Sequence, residues 1–289
     1  MRWISGALLL CIFLSVSIVD VYGQRPNESI RWFEMRGTEI REINSKITHQ
    51  EYELIINLPY SYRKDTTKHY PVVYFCDGFY DFALLSMIYA NQIFDQTIGE
   101  CFLVGFSYKG KDLDYGRLRT YDYTPTMINQ SAGTGGGPNF LKVVENEFIP
   151  FMEKNYRIDP SFRALGGSSL GGLFVLYALF TRTDLFNAYI AISPATFWDN
   201  NWLFKTEEEF HARHPDLPVS LYMTGAEKEF ADRPDFLEGI KSFSEVLKKR
   251  NYGHFRYQFR LLDDAYHASS KPEGYTRGMQ FIYAPLLKK

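Results

Sequence analysis

The stretch Gly167-Ser168-Ser169-Leu170-Gly171 places a serine between two glycines and has the form G-x-S-x-G. An apolar run precedes it and good helix formers follow, so it is predicted to lie where a strand turns into a helix. Glycines on either side of Ser169 remove Cβ atoms that would collide in such a sharp turn. The motif indicates a nucleophilic Ser169, with the Leu170 N–H as a donor to a developing oxyanion. A glycine-rich turn with a serine helix cap is the alternative.

A nucleophilic serine requires a histidine as its base and a carboxylate that orients the histidine. Where the serine lies on such a turn, the chain order is serine, acid, histidine. His267 follows the last predicted strand and is the predicted base. Glu227 and Glu229 follow the preceding predicted strand, just past Gly225, and both are candidates for the acid. The other five histidines are predicted to lie on the surface: His49, His69, His211, His214 and His254.

These residues need a scaffold that positions them, and the hydrophobic pattern predicts alternating strands and helices. Period-two runs predict an antiparallel lead-in at 38–44 and 51–58. Short continuous apolar runs, typical of strands buried on both faces, then predict an α/β domain with a mostly parallel sheet and helices on both faces. The predicted later strands cover 70–76, 101–107, a run ending near 167, 187–193, 219–225 and 255–263; the predicted helices cover 81–91, 138–155 with a bend at Pro150, 170 onward, 234–251 and 272–283.

Length and composition indicate one large folded domain. The 289 residues are 45% apolar and 17% aromatic, which supports a sizeable core and excludes a disordered chain. The net charge is −2 and the sequence has no long basic or acidic block, so no charge feature indicates nucleic acid or an anionic membrane surface. A small molecule is therefore the expected partner.

The amino end indicates an exported protein. Arg2 precedes an apolar stretch over 3–19, and Gly23 supplies a small residue where a signal peptidase would cut. We predict a signal peptide over 1–23, a single domain over 24–289, and a secreted or periplasmic location without a membrane span after cleavage. A retained anchor is the alternative, although about 17 apolar residues are short for a span of roughly 20. A lipid anchor on Cys11 is less favoured.

Two cysteines remain in the predicted mature chain, Cys76 and Cys101. Two are too few for a disulfide framework, so we predict small buried residues on strands, although export would permit a bridge. Neither cysteine has ligand spacing to a histidine. We therefore predict neither a metal nor another cofactor.

Several blocks of the sequence, taken in order, resemble the putative esterase family of α/β-hydrolases. They include "YPVVYFCDGFYDF", "RTYDYTPT", "ENEFIPFMEKNYRID", "GGSSLGGLF", "LFNAYIAISPATFW" and "HASSKPEGYTRGMQF", and they span nearly all of the predicted mature chain. Members of that family include siderophore, feruloyl and acetylxylan esterases and S-formylglutathione hydrolase. The resemblance implies an α/β-hydrolase fold, and the siderophore esterases are the most similar branch.

The resemblance also implies a Ser-His-Glu triad that works through an acyl-enzyme intermediate. Ser169 would be the nucleophile and His267 the general base. Alignment of "MTGAEKEF" with the family favours Glu227 as the acid and leaves Glu229 as a solvated charge. The chain departs from the family at Ser168, where a histidine often precedes the nucleophile; that position shapes the pocket.

A second oxyanion donor is predicted in the turn that follows the strand at 70–76. Gly78 allows the Phe79 N–H to face the serine, as the loop after the third strand does in this kind of sheet. An ordinary Asp-Gly turn is the alternative.

The segment 108–137 is too long for a simple connector and is predicted to form a pocket wall. Its aromatic and cationic side chains, with those after Ser193, suit an aryl, sugar or siderophore-type ester. Tyr123, Arg117 and Trp198 are the predicted substrate contacts. Packing of this long loop onto the sheet is an equally good interpretation.

The sequence thus predicts a secreted serine hydrolase that cleaves carboxylic esters. An acyltransferase on the same scaffold would share every feature named here. A non-catalytic binding module is less favoured, because all three triad residue types are retained.

Overall fold

An eight-stranded mixed sheet forms the centre of the computed structural model, which describes residues 33–128 and 133–287. Its strands are β1 (Thr38–Asn44), β2 (Glu51–Asn57), β3 (Tyr70–Phe75), β4 (Phe102–Tyr108), β5 (Ile158–Ser168), β6 (Ala188–Ile192), β7 (Ser220–Lys228) and β8 (Arg256–Tyr266). They lie in the order β1-β2-β4-β3-β5-β6-β7-β8. β1 pairs with β2, and β2 with β4, in antiparallel fashion, whereas the pairs from β4 to β8 are parallel. The predicted antiparallel lead-in and mostly parallel core are confirmed.

Helices cover both faces of this sheet. α1 (Gly78–Phe94) and α8 (Lys271–Tyr283) contribute to the apolar core on one face. The core on the other face receives side chains from α2 (Tyr115–Tyr123), α3 (Gly137–Val143), α4 (Ile149–Asn155), α5 (Leu170–Thr181), α6 (Trp198–His211) and α7 (Pro234–Arg250). Along β3, Val72 and Tyr74 enter this second core while Val73 and Phe75 enter the first. Burial on both faces explains why the strand reads as a continuous apolar run.

The helix predicted over 138–155 is confirmed and contains a π-helical turn. α3 is followed by a π-helical turn at Val144–Phe148, and α4 then begins at Ile149. The backbone stays in the right-handed helical region at both junctions, at Val143 and Val144 and again at Phe148 and Ile149. Residues 137–155 therefore form one helix with an internal π-helical turn, and Pro150, which has no N–H to donate, lies just after that turn.

Two helices were not predicted from the sequence. α2 lies within the segment predicted to be an aperiodic pocket wall, and α6 lies within the expected loop after Ser193. The Asp114 side chain accepts a hydrogen bond from Arg117 N at 2.9 Å and so caps the start of α2. Neither segment carries a regular apolar stripe, which is why periodicity did not reveal them.

The predicted signal peptide over 1–23 lies outside the described residues. Within 33–128 and 133–287, none of the helices combines the length and apolar character that crossing a bilayer requires. Cys76 and Cys101 are buried and free, directly after β3 and directly before β4. They match the prediction of small buried residues.

Candidate active site

Ser169 lies in a strained turn between β5 and α5. Its backbone has φ 60° and ψ −119°, a conformation that residues with a Cβ rarely adopt. A Cβ on Gly167 would lie 2.6 Å from the carbonyl of Gly171, so the strand and helix approach each other only because glycine is present. The turn therefore has the geometry that aims a serine hydroxyl away from the sheet edge, as the G-x-S-x-G spacing predicted.

Backbone hydrogen bonds tie this turn to the end of β6. Ser169 N–H donates to Ile192 O at 3.0 Å, and Ala195 N–H donates to Ser169 O at 3.1 Å. Leu170 is the first residue of α5, where a backbone N–H has no acceptor within the helix. Its amide and the positive end of the helix dipole thus lie beside Ser169.

His267 is oriented by Glu229. The His267 Nδ1 and Glu229 Oε2 atoms are 2.6 Å apart, and the two side chains are 18% and 2% exposed. The other oxygen of Glu229 accepts a hydrogen bond from Ala226 N at 2.9 Å, which fixes the carboxylate. The rings of Phe230 and Phe236 pack on the imidazole at centroid distances of 4.3 and 5.1 Å. This arrangement occupies Nδ1 and leaves Nε2 for proton transfer.

The expectation that Glu227 contacts the histidine is corrected by the structure. β7 continues to Lys228, so Glu227 is still part of the sheet, and its exposed carboxylate accepts a hydrogen bond from Asp264 N at 2.9 Å. Glu229 is the first residue beyond the strand, and there the chain turns back and aims its carboxylate inward. The residue expected to be a solvated charge is therefore the one that holds His267.

The His267 loop and the Ser169 turn are both anchored at the end of β6. Ser270 Oγ donates to His267 O at 2.7 Å and lies 3.4 Å from the Oγ of Ser193. Ser193 directly follows Ile192, the residue whose carbonyl binds Ser169 N. The carboxyl edge of the sheet thus brings the candidate nucleophile and base to neighbouring positions.

The predicted second oxyanion donor lies in a turn that contacts α5. Phe79 is in the first turn of α1, where backbone N–H groups have no acceptor within the helix. The residue before this helix, Asp77, has a left-handed backbone with φ 58°. A Cβ on Gly171 would lie 2.9 Å from Cys76 Cβ and 3.2 Å from Asp77 Oδ2, so the start of α1 adjoins the start of α5. Two helix amino termini therefore meet near Ser169.

The predicted substrate contacts have different environments. Arg117 is exposed on α2, and Trp198 donates from Nε1 to Thr126 Oγ1 at 3.0 Å. Tyr123 is 1% exposed, and its hydroxyl accepts a hydrogen bond from Asp77 N at 2.9 Å. Direct contact of Tyr123 with a substrate is therefore corrected to support of the turn before Phe79.

Arg119 is one of the cationic side chains of the predicted pocket wall and was not among the predicted substrate contacts. Its guanidinium binds the Asp77 carboxylate through Nε–Oδ1 and Nη2–Oδ2 distances of 2.6 and 2.8 Å. A spacing of four places Arg119 and Tyr123 on one face of α2, and that spacing was the available signal. Within 33–128 and 133–287, no group of three or more histidine, cysteine or acidic side chains could hold a metal ion.

A serine turn between a parallel strand and a helix, with a histidine and a carboxylate from the ends of later strands, is the defining arrangement of the α/β-hydrolases. The family described as "Putative esterase" matches residues 45–268, and this chain belongs to it. The chain is a carboxylic ester hydrolase. The fold and the family predicted from the sequence are confirmed.

Two curated proteins and one solved structure illustrate the similarity. The chain is 25% identical over 268 residues to the ferri-bacillibactin esterase BesA of Bacillus subtilis, which covers 88% of this chain and 92% of that protein. It is 35% identical over 125 residues to the siderophore triacetylfusarinine C esterase of Aspergillus fumigatus, covering 40% of this chain and 42% of that protein. The crystal structure of the BES protein from Bacillus cereus superposes with a TM-score of 0.78 at 27% identity, covering 89% of this chain and 99% of that one.

Proposed function

We propose that this protein is an exported serine esterase that hydrolyses siderophore-type esters through Ser169, His267 and Glu229. The observation that carries the proposal is the 2.6 Å contact between His267 Nδ1 and the buried Glu229 carboxylate, at the sheet edge where Ser169 lies. Glu229 holds the imidazole in the tautomer whose Nε2 can accept a proton, and it stabilises the imidazolium that then forms.

The reaction has two steps. The Ser169 Oγ attacks the ester carbonyl carbon while His267 Nε2 takes the hydroxyl proton, and the carbonyl oxygen becomes an oxyanion. The N–H groups of Leu170 and Phe79 are the proposed donors to that oxyanion. When the intermediate collapses, the C–O bond to the alcohol breaks and the imidazolium gives its proton to the leaving oxygen. Water then attacks the acyl-enzyme by the same route and releases the acid.

The substrate class is supported by two independent observations. Two relatives named above are esterases of iron carriers by their descriptions. Half-exposed aromatic side chains also lie on the segments that carry the proposed site, Phe79 on α1, Phe230 beside His267, and Tyr266 at the end of β8. Aromatic surfaces of this kind suit aryl groups such as the catechol rings of triscatecholate lactones.

A panel of esters tests both the activity and the substrate class. The purified protein is assayed with a triscatecholate trilactone, a feruloyl ester, an acetylated sugar and p-nitrophenyl esters, alongside Ser169→Ala. We expect the trilactone to give the highest kcat/KM and Ser169→Ala to lose turnover by about 10⁴- to 10⁶-fold while remaining folded. An active Ser169→Ala variant contradicts the mechanism, and a preference for acetylated sugar contradicts the substrate class.

Two finer points are read from the same preparation. Product analysis in the presence of added alcohol separates hydrolysis from acyl transfer, and we expect the free acid to dominate.

Export is supported by the apolar stretch over 3–19 and by Gly23. Sequencing of the protein recovered from the medium or periplasm should begin at Gln24, and a chain that retains residues 1–23 contradicts the proposed cleavage.

A further inference from the structure

The ion pair between Arg119 and Asp77 lies beside the proposed oxyanion site. The pair is bidentate, and its side chains are 19% and 5% exposed. Asp77 does not cap α1 with its side chain, although it directly precedes that helix. Its carboxylate is instead directed at Arg119. The nearly buried carboxylate of Asp77 therefore caps none of the N–H groups at the start of α1.

The position of that charge matters for the reaction. Asp77 Oδ2 lies 3.2 Å from the place where a Cβ on Gly171 would be, in the first turn of α5. The proposed donors Leu170 N–H and Phe79 N–H belong to the first turns of the two helices that meet here. An unpaired carboxylate in this poorly solvated place would repel the negative charge that develops on the substrate oxygen. The bidentate guanidinium of Arg119 neutralises the Asp77 carboxylate and also fixes the orientation of that side chain.

α2 holds the same turn through two further contacts. The Tyr123 hydroxyl accepts a hydrogen bond from Asp77 N at 2.9 Å. The ring of Tyr115 stacks on the ring of Phe79 with a centroid distance of 4.0 Å and an interplanar angle of 14°. The left-handed backbone of Asp77, with φ 58° and ψ 39°, is therefore held by contacts on both sides. Of these contacts, the one from Arg119 carries charge.

We propose that Arg119 is a positioning residue of the esterase reaction, which neutralises Asp77 and holds the turn that presents the Phe79 N–H to the oxyanion. This inference rests on the proposed function of Ser169. Arg119 acts through Asp77 and does not touch the reacting atoms. It lowers the barrier to oxyanion formation and leaves ground-state binding of the ester unchanged, so its loss lowers kcat and leaves KM nearly constant.

The test compares Arg119→Met, Asp77→Asn and the double variant with a matched control elsewhere in the molecule. The control is Arg250→Met, because Arg250 also forms a two-point pair with a buried carboxylate, with Nε–Oε1 and Nη2–Oε2 distances to Glu207 of 3.1 and 2.9 Å. We expect Arg119→Met to lose about 10- to 100-fold in kcat on p-nitrophenyl butyrate, with KM changed less than about threefold. Arg250→Met should keep the wild-type kcat in the folded fraction, which thermal unfolding defines.

The double variant separates charge from simple loss of structure. With Asp77→Asn in place, the repelling charge is gone, so the double variant should regain several-fold of the kcat lost in Arg119→Met. Inhibition by an aryl boronic acid, which forms an anionic tetrahedral adduct on the serine, should weaken in parallel with kcat. Arg119→Lys keeps the charge without the fork and should fall between wild type and Arg119→Met; it carries the test if Arg119→Met does not fold.

Equal kcat in Arg119→Met and Arg250→Met, or a double variant no better than Arg119→Met, overturns the inference. A wild-type kcat together with a wild-type boronate affinity in Arg119→Lys would also overturn the inference. In each case an inactive Ser169→Ala leaves the proposed function in place. An active Ser169→Ala removes the proposed function itself.

Discussion

The chain contains two ion pairs of the same type at opposite edges of the sheet. Asp77–Arg119 lies at the carboxyl edge, where β3 leads into α1. Glu207–Arg250 joins α6 to the end of α7, close to where these helices lead to the amino ends of β7 and β8. In both, a buried carboxylate meets an arginine fork and a tyrosine is close by, Tyr123 at Asp77 N and Tyr252 at Glu207 Oε1. The chemistry of the two pairs is alike, but their surroundings are not.

The difference lies in what each carboxylate faces. Asp77 adjoins the first turns of two helices, where unpaired N–H groups favour negative charge and a reaction can use them. Glu207 is fully buried in the middle of α6, where Arg250 and Tyr252 satisfy it. The same interaction can thus support catalysis at one edge and folding at the other. Position relative to helix amino termini decides which role it has.

The largest expected effect separates two glutamates at the carboxyl edge. Glu229→Gln removes the charge that orients His267 and should lower kcat by about 10²- to 10⁴-fold. Glu227→Gln is the matched control, two positions away, and should stay within about threefold of wild type because its carboxylate is exposed and accepts a hydrogen bond from Asp264 N. Steady-state kinetics on one ester measure both. Collapse of Glu227→Gln with a normal Glu229→Gln would reverse the assignment.

A smaller effect is expected from the close contact between α5 and the Asp77 turn. Alanine normally favours a helix over glycine by about 1 kcal/mol. A Cβ at Gly171 would nevertheless meet Cys76 Cβ at 2.9 Å and push against Asp77, so Gly171→Ala should lower both kcat and the free energy of unfolding. Gly99→Ala is the control, because its Cβ would lie 3.9 Å from the Tyr283 ring, an ordinary contact. Activity and stability of Gly171→Ala equal to wild type would show that this contact does not hold the turn.

At the amino edge we expect an effect on stability alone. Arg250→Met leaves the Glu207 carboxylate buried without its cation and should cost about 3–5 kcal/mol of unfolding free energy, measured by urea denaturation. The kcat of the folded enzyme should not change. A loss of kcat in proportion to that of Arg119→Met would erase the distinction between the two edges.

The smallest expected effect is on the pH dependence of stability and concerns Asp122, on the face of α2 that packs on the sheet. Burial raises the pKa of this carboxyl to about 7, although hydrogen bonds from the Tyr108 and Tyr52 hydroxyls oppose the shift. The unfolded chain has a value of about 3.9. Folding therefore favours the protonated form, and the stability that this provides is present below about pH 4 and is lost as the pH rises through 7.

Asp122→Asn imitates the protonated carboxyl and should remove that part of the pH dependence. The melting temperatures of wild type and variant, each measured at pH 5 and pH 8, give the comparison. The drop from pH 5 to pH 8 should be smaller in the variant. An equal drop would mean that Asp122 is already ionised in the folded protein at pH 5.

The sequence predicted the scaffold well because buried parallel strands have a direct signature. The runs around β3, β4 and β6 are almost continuously apolar, and helices separate them, so a mostly parallel sheet is predicted. The serine turn was found because G-x-S-x-G has a steric reason at a strand-to-helix junction. His267 was predicted from chain order, from its place after the last predicted strand and from the family resemblance, and the structure places its imidazole against the Glu229 carboxylate.

The parts that the sequence did not predict depend on where elements end in space. Alignment of "MTGAEKEF" with the family favoured Glu227, but β7 runs on to Lys228 and so leaves Glu229 as the residue that turns inward. Tyr123 was assigned to the substrate because aromatic residues often line pockets, and burial was not visible in the sequence. The role of Arg119 depends on a helix, α2, that lacks a regular apolar stripe.

Labelling with a fluorophosphonate probe tests the central claim, that the carboxyl edge activates Ser169 as a nucleophile, most directly. The probe reacts with an activated serine hydroxyl and releases fluoride, and mass spectrometry of the digested protein locates the adduct. The account predicts a single adduct on Ser169 and not on the adjacent Ser168, loss of ester turnover in step with labelling, and much slower labelling in Glu229→Gln than in Glu227→Gln. An adduct on a different residue, or full turnover after Ser169 is labelled, would contradict it.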